Sequence, residues 1–259
     1  MRSSSVSTGR RPPAAIVRLV VHAALGWMYY HTMWMAKFVD WDSIDFPTVT
    51  EVGKFMVYML TLWTLNMHLA FFLLAAVLDF FELLPQSANV GKLLNKVREI
   101  NDFLFMTVML PISVCVCGGF WAAWVLFNDL IYPTEMNNIV PVFINHVSHT
   151  TPIFVVYIEL IFCYHTSPRI KPAIISLVVA ETIYLATMIK LKIDYGRWVY
   201  LLIDIYLDTI PKLVVVFSFL SYIVPIVYLV SNLRFNNYIW GIQTSDAENE
   251  SLRRNKKIT

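Results

Sequence analysis

Six long, predominantly apolar runs separated by short polar segments organise the chain: Ala14–Ala36, Gly53–Phe80, Phe103–Phe127, Ile139–Cys163, Pro172–Ile189 and Ile210–Asn232. A helix rises about 1.5 Å per residue, so roughly 20 apolar residues cross the ~30 Å hydrocarbon core of a bilayer. Each run meets or approaches that length, and the second has residues to spare for tilt or protrusion. The short alternating segments that mark a transmembrane β-barrel are absent. The pattern therefore predicts an all-α integral membrane bundle of six transmembrane helices. No repeat of fixed period and no separate polar domain interrupts it, so residues 14–240 read as one transmembrane domain. Residues 1–13 (MRSSSVSTGRRPP) read as a disordered basic tail and residues 241–259 as a second polar tail.

Charge orients the bundle. Arg2, Arg10 and Arg11, then Lys92, Lys96 and Arg98, then Arg169 and Lys171, and finally Arg234, Arg253, Arg254, Lys256 and Lys257 all fall on one side of the predicted spans. The opposite side holds fewer basic residues, accompanied by Asp40, Asp42, Asp45 and Glu51. Basic loops stay cytosolic, so both termini are expected in the cytosol, with Arg18 reaching from the first span toward the N-terminal side. The apolar run after the first tail is long enough to remain as an anchor rather than act as a cleaved leader. The last four residues, Lys256-Lys257-Ile258-Thr259, match the dilysine tail that coat proteins read to return membrane proteins to the endoplasmic reticulum. The expected location is therefore the endoplasmic reticulum, with the plasma membrane as the alternative.

Composition agrees with a bilayer as solvent. The chain is 58% hydrophobic, only 15% charged, and its mean hydropathy is +0.60. A water-soluble domain of this length would need more charge to cover its surface. The net charge of +2 gives no case for nucleic-acid binding. Cys115, Cys117 and Cys163 sit within or at the end of apolar runs and read as packing residues rather than a disulfide framework.

Polar side chains at bilayer depth are costly, so those inside the runs carry most of the information. They are His22, Thr61, Thr64, Asn66, His68, Asn145, His146, His149, Thr150, Glu159, Glu181 and Ser218. Taken singly, each is explained by an interhelical hydrogen bond, and a lone Thr by a bond to its own backbone. The cluster Asn145, His146, His149 and Thr150 is different. Asn145 and His149 are four apart and His146 and His149 three apart, so they lie along one helical face directed at the bundle interior. A proton relay, a metal or haem ligand, or a general base could each use such a face. Thr61, about eight residues into the second run, and His149, about ten into the fourth, both sit about 12 to 15 Å below the same membrane face. A hydroxyl and an imidazole are thus matched in depth, with Thr64 and His146 close by.

At these residues the chain resembles the androgen-induced gene and androgen-dependent TFPI-regulating protein family, multi-pass membrane hydrolases of fatty acid esters of hydroxy fatty acids. The resemblance rests on Asn145-His146-x-x-His149-Thr150-Thr151, Ile131-Tyr132-Pro133, Glu159, Trp198-Val199-Tyr200 and Asn236-Asn237-Tyr238-Ile239-Trp240. Leu60-Thr61, followed eighteen residues later by Asp79, resembles the family's nucleophile helix. Leu201 stands where the family often has proline. The resemblance implies Thr61 as nucleophile and His149 as general base, with Asn145, His146 and Thr150 in support and no cofactor or metal. The implied substrate is a lipid ester that reaches the site from the bilayer. Competing readings are a haem-binding protein pairing His68 with His146 or His149, and a proton-coupled protein using Glu159, Glu181 and the histidines.

One consequence of the orientation can be checked directly. The only glycosylation sequon, Asn249-Glu250-Ser251, lies in the C-terminal tail and stays unmodified if that tail is cytosolic. A glycosidase-sensitive mass shift at Asn249 would reverse the expected orientation.

Overall fold

The computed structural model describes residues 13–39, 54–132 and 134–241. The two tails, with Asn249 and the Lys256-Lys257 pair, lie almost wholly outside the described residues, as does Pro133. Among the described residues every regular element is helical. In chain order these are α1 (Ala15–Ala36), α2 (Leu60–Glu82), α3 (Ala88–Leu104), α4 (Leu110–Ile131), α5 (Val142–His149), α6 (Thr151–Phe162), α7 (Ile170–Tyr195), α8 (Leu201–Tyr206), α9 (Ile210–Ser218) and α10 (Val224–Ile239). Wider π-turns at Phe105–Met109 and Phe219–Ile223 join α3 to α4 and α9 to α10 into single rods. Local chemistry sets several boundaries. The Ser87 hydroxyl accepts the Val90 amide at 3.4 Å and starts α3, and Gly196, at φ 74°, ends α7 in a conformation that suits a residue without Cβ.

Four helical stretches among the described residues are long and apolar enough to cross a membrane: Leu60–Glu82, Ala88–Phe127, Ile170–Tyr195 and Ile210–Ile239. The protein is a multi-pass, all-helical membrane protein. The other two expected spans are helical as well, but differ in kind. In α1, Arg18, His22 and His31 dilute the apolar run. The fourth run, expected as one helix from Ile139 to Cys163, is divided at Thr150 (φ −117°, ψ −51°) into α5 and α6. Pro152 supplies the reason. It has no amide hydrogen for the carbonyl of Ser148, and its ring crowds that carbonyl. The third helix also begins well before the expected Phe103, so Lys92, Lys96 and Arg98 ride on a helical extension rather than in a loop.

Successive helices run up and down. The start of α1, the end of α2, the last turns of α3, the end of α6 and the end of α10 meet at one end of the bundle. Arg18 bonds Asp79 there, His165 bonds Asp102, and the Trp240 indole donates to the Leu160 carbonyl at 3.1 Å. Tyr29, Phe72, Met106, Leu110, Val156, Leu160 and Leu229 fill the interior. Many of the outward positions are bulky and apolar, with Trp27, Val125, Ile193 and Val215 among the most exposed, as a lipid-facing belt requires.

The α1–α2 contact depends on a glycine. A Cβ on Gly26 would lie 2.9 Å from Leu73 Cδ2 and 3.5 Å from the Leu73 backbone nitrogen. Close approach through small residues is how membrane helices gain packing energy. Gly26→Val is expected to destabilise the protein by about 1–3 kcal/mol, read as a lower thermal midpoint in detergent.

Candidate active site

Thr61 lies in the first turn of α2, and that turn is held from outside. The chain is extended at Met59 (φ −78°, ψ 134°), and the Leu60 amide donates to the hydroxyls of Tyr184 at 3.1 Å and Tyr200 at 3.2 Å. These phenols stand where an N-cap side chain ordinarily would. The Tyr184 hydroxyl also donates to that of Tyr200 at 3.2 Å, which ties the second half of α7 and the loop after it to the start of α2. Thr61 is thus at a helix start rather than about eight residues into a span as the run length suggested.

Opposite Thr61 stands His149, the last residue of α5. Its Nδ1 lies 2.8 Å from Asn145 Oδ1, one turn earlier, and its Nε2 lies 3.4 Å from Thr61 Oγ1. An amide oxygen can only accept, so Nδ1 carries the proton and Nε2 presents its lone pair to the hydroxyl. The Phe120 ring stacks on the imidazole at 3.7 Å between centroids and 9° between planes. The helix break exposes the His149 carbonyl, and the Trp121 indole donates to it at 3.0 Å and to Thr150 Oγ1 at 3.2 Å. Every group that sets the imidazole's position is therefore bonded or stacked.

The other expected residues separate clearly. Thr64 is buried and donates to the Leu60 carbonyl at 2.9 Å, so its hydroxyl is spent on its own helix. His146, expected on the interior face, is exposed; its Nδ1 meets Thr150 Oγ1 at 3.0 Å and its ring lies over Trp121. His68 is buried, with Nδ1 donating to the Thr64 carbonyl at 2.7 Å and Nε2 facing Ser113 Oγ at 3.4 Å, so a hydroxyl rather than a second imidazole stands across from it. Asn66 and Ser218 are exposed, and Glu181 is buried on α7.

A second polar group occupies the far end of the bundle, roughly 27 Å along α2 from Thr61. Asp79 is fully buried. Its Oδ1 accepts Arg18 Nε at 3.1 Å and Arg98 Nη1 at 3.2 Å, while Oδ2 meets His22 Nδ1 at 2.7 Å. Glu82 Oε2 accepts Arg18 Nη2 at 2.6 Å and Arg98 Nη2 at 3.0 Å. Arg18 Nη1 donates to the Pro13 carbonyl at 2.8 Å, so the side chain does reach back toward the N-terminal end of α1 while two carboxylates hold its other nitrogens. His22 Nε2 meets Glu159 Oε2 at 3.0 Å, and Glu159 Oε1 meets His165 Nε2 at 3.1 Å. Sequence reasoning named His22 and Glu159 as isolated polar positions and missed that they are partners. It also missed Phe120, Trp121 and Tyr184, which look like ordinary bulky residues of an apolar span.

The chain is therefore a polytopic helical membrane protein with a hydroxyl, an imidazole and an amide aligned inside the bundle. Residues 13–234 match the FAR-17a/AIG1-like protein family, and the chain belongs to it. It is 28% identical to the human androgen-dependent TFPI-regulating protein over 152 residues, 58% of this chain and 64% of that relative. The match thus spans slightly under two thirds of that relative's length. Identity to the human androgen-induced gene 1 protein is 23% over 215 residues, 81% of this chain and 87% of the relative. The androgen-dependent TFPI-regulating protein of Mesocricetus auratus is 27% identical over 183 residues, covering 70% and 76% of the two chains. No solved structure matches the chain significantly.

The buried ion pairs make a stability prediction. Asp79→Ala would strip two guanidinium groups and an imidazole of a buried partner, a loss of about 3–5 kcal/mol. Thermal unfolding in detergent should show a far larger drop for Asp79→Ala than for Thr61→Ala.

Proposed function

We propose that the protein is a membrane-embedded carboxylic ester hydrolase acting on fatty acid esters of hydroxy fatty acids. Thr61 is the nucleophile, His149 the general base and Asn145 the residue that positions it. The observation that carries this reading is the line Thr61 Oγ1–His149 Nε2 and His149 Nδ1–Asn145 Oδ1, at 3.4 and 2.8 Å. A base that activates a hydroxyl and is oriented by a third group is the general arrangement of nucleophilic acyl transfer. The 3.4 Å gap is of the kind that closes when substrate displaces water from the site.

In this mechanism the ester moves laterally from the bilayer into the site. Thr61 Oγ attacks the carbonyl carbon as its proton passes to His149 Nε2. The protonated imidazole then hands that proton to the departing alkoxide, and the hydroxy fatty acid leaves. A water molecule, deprotonated by the same nitrogen, hydrolyses the acyl-threonine and frees the second fatty acid. Thr150 and His146 support the base by holding one another and, through Trp121, the broken end of α5. No cofactor or metal takes part in these steps. Six crossings with both termini in the cytosol, and retention in the endoplasmic reticulum through coat-protein recognition of Lys256 and Lys257, complete the proposal. The up-and-down packing of the described helices supports the crossings, with α5 and α6 together forming the fourth.

Membranes carrying the wild type and variants, supplied with a panel of lipid esters, test the assignment. Thr61→Ala should abolish hydrolysis and labelling by a hydroxyl-directed probe, whereas Thr64→Ala should retain both. Wild-type turnover by Thr61→Ala would sink the proposal. His149→Ala should lower kcat about 10²–10⁴-fold, the usual contribution of a positioned base. Asn145→Ala should lower kcat by less and leave KM unchanged, because it touches the imidazole and not the lipid.

A further inference from the structure

We propose that His22, Glu159 and Cys163 form a binding site for a divalent transition-metal ion of the zinc type, at the end of the bundle opposite Thr61. The three residues are buried, and each offers a ligand atom within 4.8 Å of the others. His22 Nε2 lies 3.0 Å from Glu159 Oε2 and 3.9 Å from Cys163 Sγ. Zinc holds nitrogen and oxygen at about 2.0–2.1 Å and sulfur at about 2.3 Å, so a tetrahedral centre spaces nitrogen from oxygen by about 3.3 Å and from sulfur by about 3.5 Å. The observed separations bracket those edges, and shifts of a few tenths of an ångström would seat the ion. Imidazole, thiolate and carboxylate together favour zinc over magnesium or calcium, which take oxygen ligands.

Two further features separate this cluster from an ordinary ion-pair network. Each imidazole is held from behind by an aspartate: Asp79 Oδ2 lies 2.7 Å from His22 Nδ1, and Asp102 Oδ1 lies 3.0 Å from His165 Nδ1. Metal-binding histidines are oriented in the same way, with the far nitrogen donating to a carboxylate so that Nε2 points at the ion. Both Nε2 atoms converge on the Glu159 carboxylate, and His165, bonded to its other oxygen, holds Glu159 in position. Charge points the same way. Arg18 and Arg98 sit against Asp79 and Glu82, whereas Glu159 faces only the two imidazoles and the thiol. A buried carboxylate in a membrane protein needs a cation beside it. Without metal the protonated imidazoles supply that charge; a divalent ion takes over the role, and its arrival releases the thiol proton and the Nε2 proton of His22. Bound there, the ion would fasten α1 to the end of α6.

The full-length protein, purified in detergent without a histidine tag, provides the test. Elemental analysis after zinc loading should find one ion per chain, and zinc should raise the thermal midpoint relative to chelator. Cobalt(II) titration should produce a near-ultraviolet thiolate-to-cobalt band. That band should vanish in Cys163→Ser and persist when Cys115 and Cys117 are both replaced by serine. His22→Gln should lower the metal content while the chain still elutes as a single species. Zinc content well below one per chain, with neither a cobalt band nor a thermal shift, would overturn the proposal. So would full binding and an intact band in Cys163→Ser. Should Cys163→Ser fail to fold, the band in the Cys115 and Cys117 double variant decides the matter, because only Cys163 could then supply the thiolate.

Discussion

A carboxylate buried where no water can reach it must be surrounded by cations and hydrogen-bond donors, and Asp79 is surrounded on every side. Arg18, Arg98 and His22 converge on it from two other helices, and Glu82 accepts one nitrogen from each arginine. Through His22 the network continues to Glu159 and His165, and so reaches the end of α6 and the loop beyond it. In hydrocarbon the alternative to this arrangement is an unpaired charge, so the register of α1 against α2 follows from electrostatics. Apolar packing alone would allow one helix to slide past the other. The Arg18–Asp79 bond removes that freedom, and Gly26 lets the helices approach closely enough for the bond to form.

With one end of α2 anchored, the other is positioned by two phenols. Tyr184 and Tyr200 hold the Leu60 amide and define where the helix starts. One residue later is Thr61. Its partner comes from a helix that Pro152 has broken, and a break inside a bilayer is tolerated only if its polar backbone is satisfied within the protein. The Trp121 indole meets that requirement at the His149 carbonyl. The same indole bonds Thr150, so satisfying the break also fixes the residue beside the imidazole. The helix break and the Thr61–His149 pair are therefore at the same place.

Much of this was legible in the sequence, and the limits have physical causes. The apolar runs were visible because bilayer thickness dictates their length, and four of the six form helices long and apolar enough to cross a membrane among the described residues. Helical periodicity put Asn145 and His149 on one face, and depth put Thr61 level with His149 without separating them from Thr64 and His146. Helix ends were less legible. Pro152 was a visible break signal, but the apolar residues on both sides concealed it. His146 was assigned to the interior because three-residue spacing puts it near His149. It lies far enough around the helix to leave the interior, and α5 ends before another turn could bring it back. The polar network was illegible for a different reason. Its bonds join residues 61, 57 and 137 positions apart, and no local pattern encodes which buried acid meets which buried base.

The bundle uses imidazoles in two ways, and the contrast explains the residue beside each. At the anchored end His22 and His165 stand among carboxylates, where positive charge is required and dense pairing can compensate it. Near Thr61 the partners of His149 are an amide, a hydroxyl, a phenyl ring and an indole, none of which carries charge. An aspartate in place of Asn145 would orient the ring equally well, but with no arginine beside it the added charge would be left uncompensated in a medium of low polarity. An amide fixes the same tautomer without that penalty and leaves Nε2 free to accept a proton. The neutral third member thus follows from the depth at which the pair sits, and the same constraint explains why Glu159, the acid on the adjoining helix α6, points away toward the opposite end.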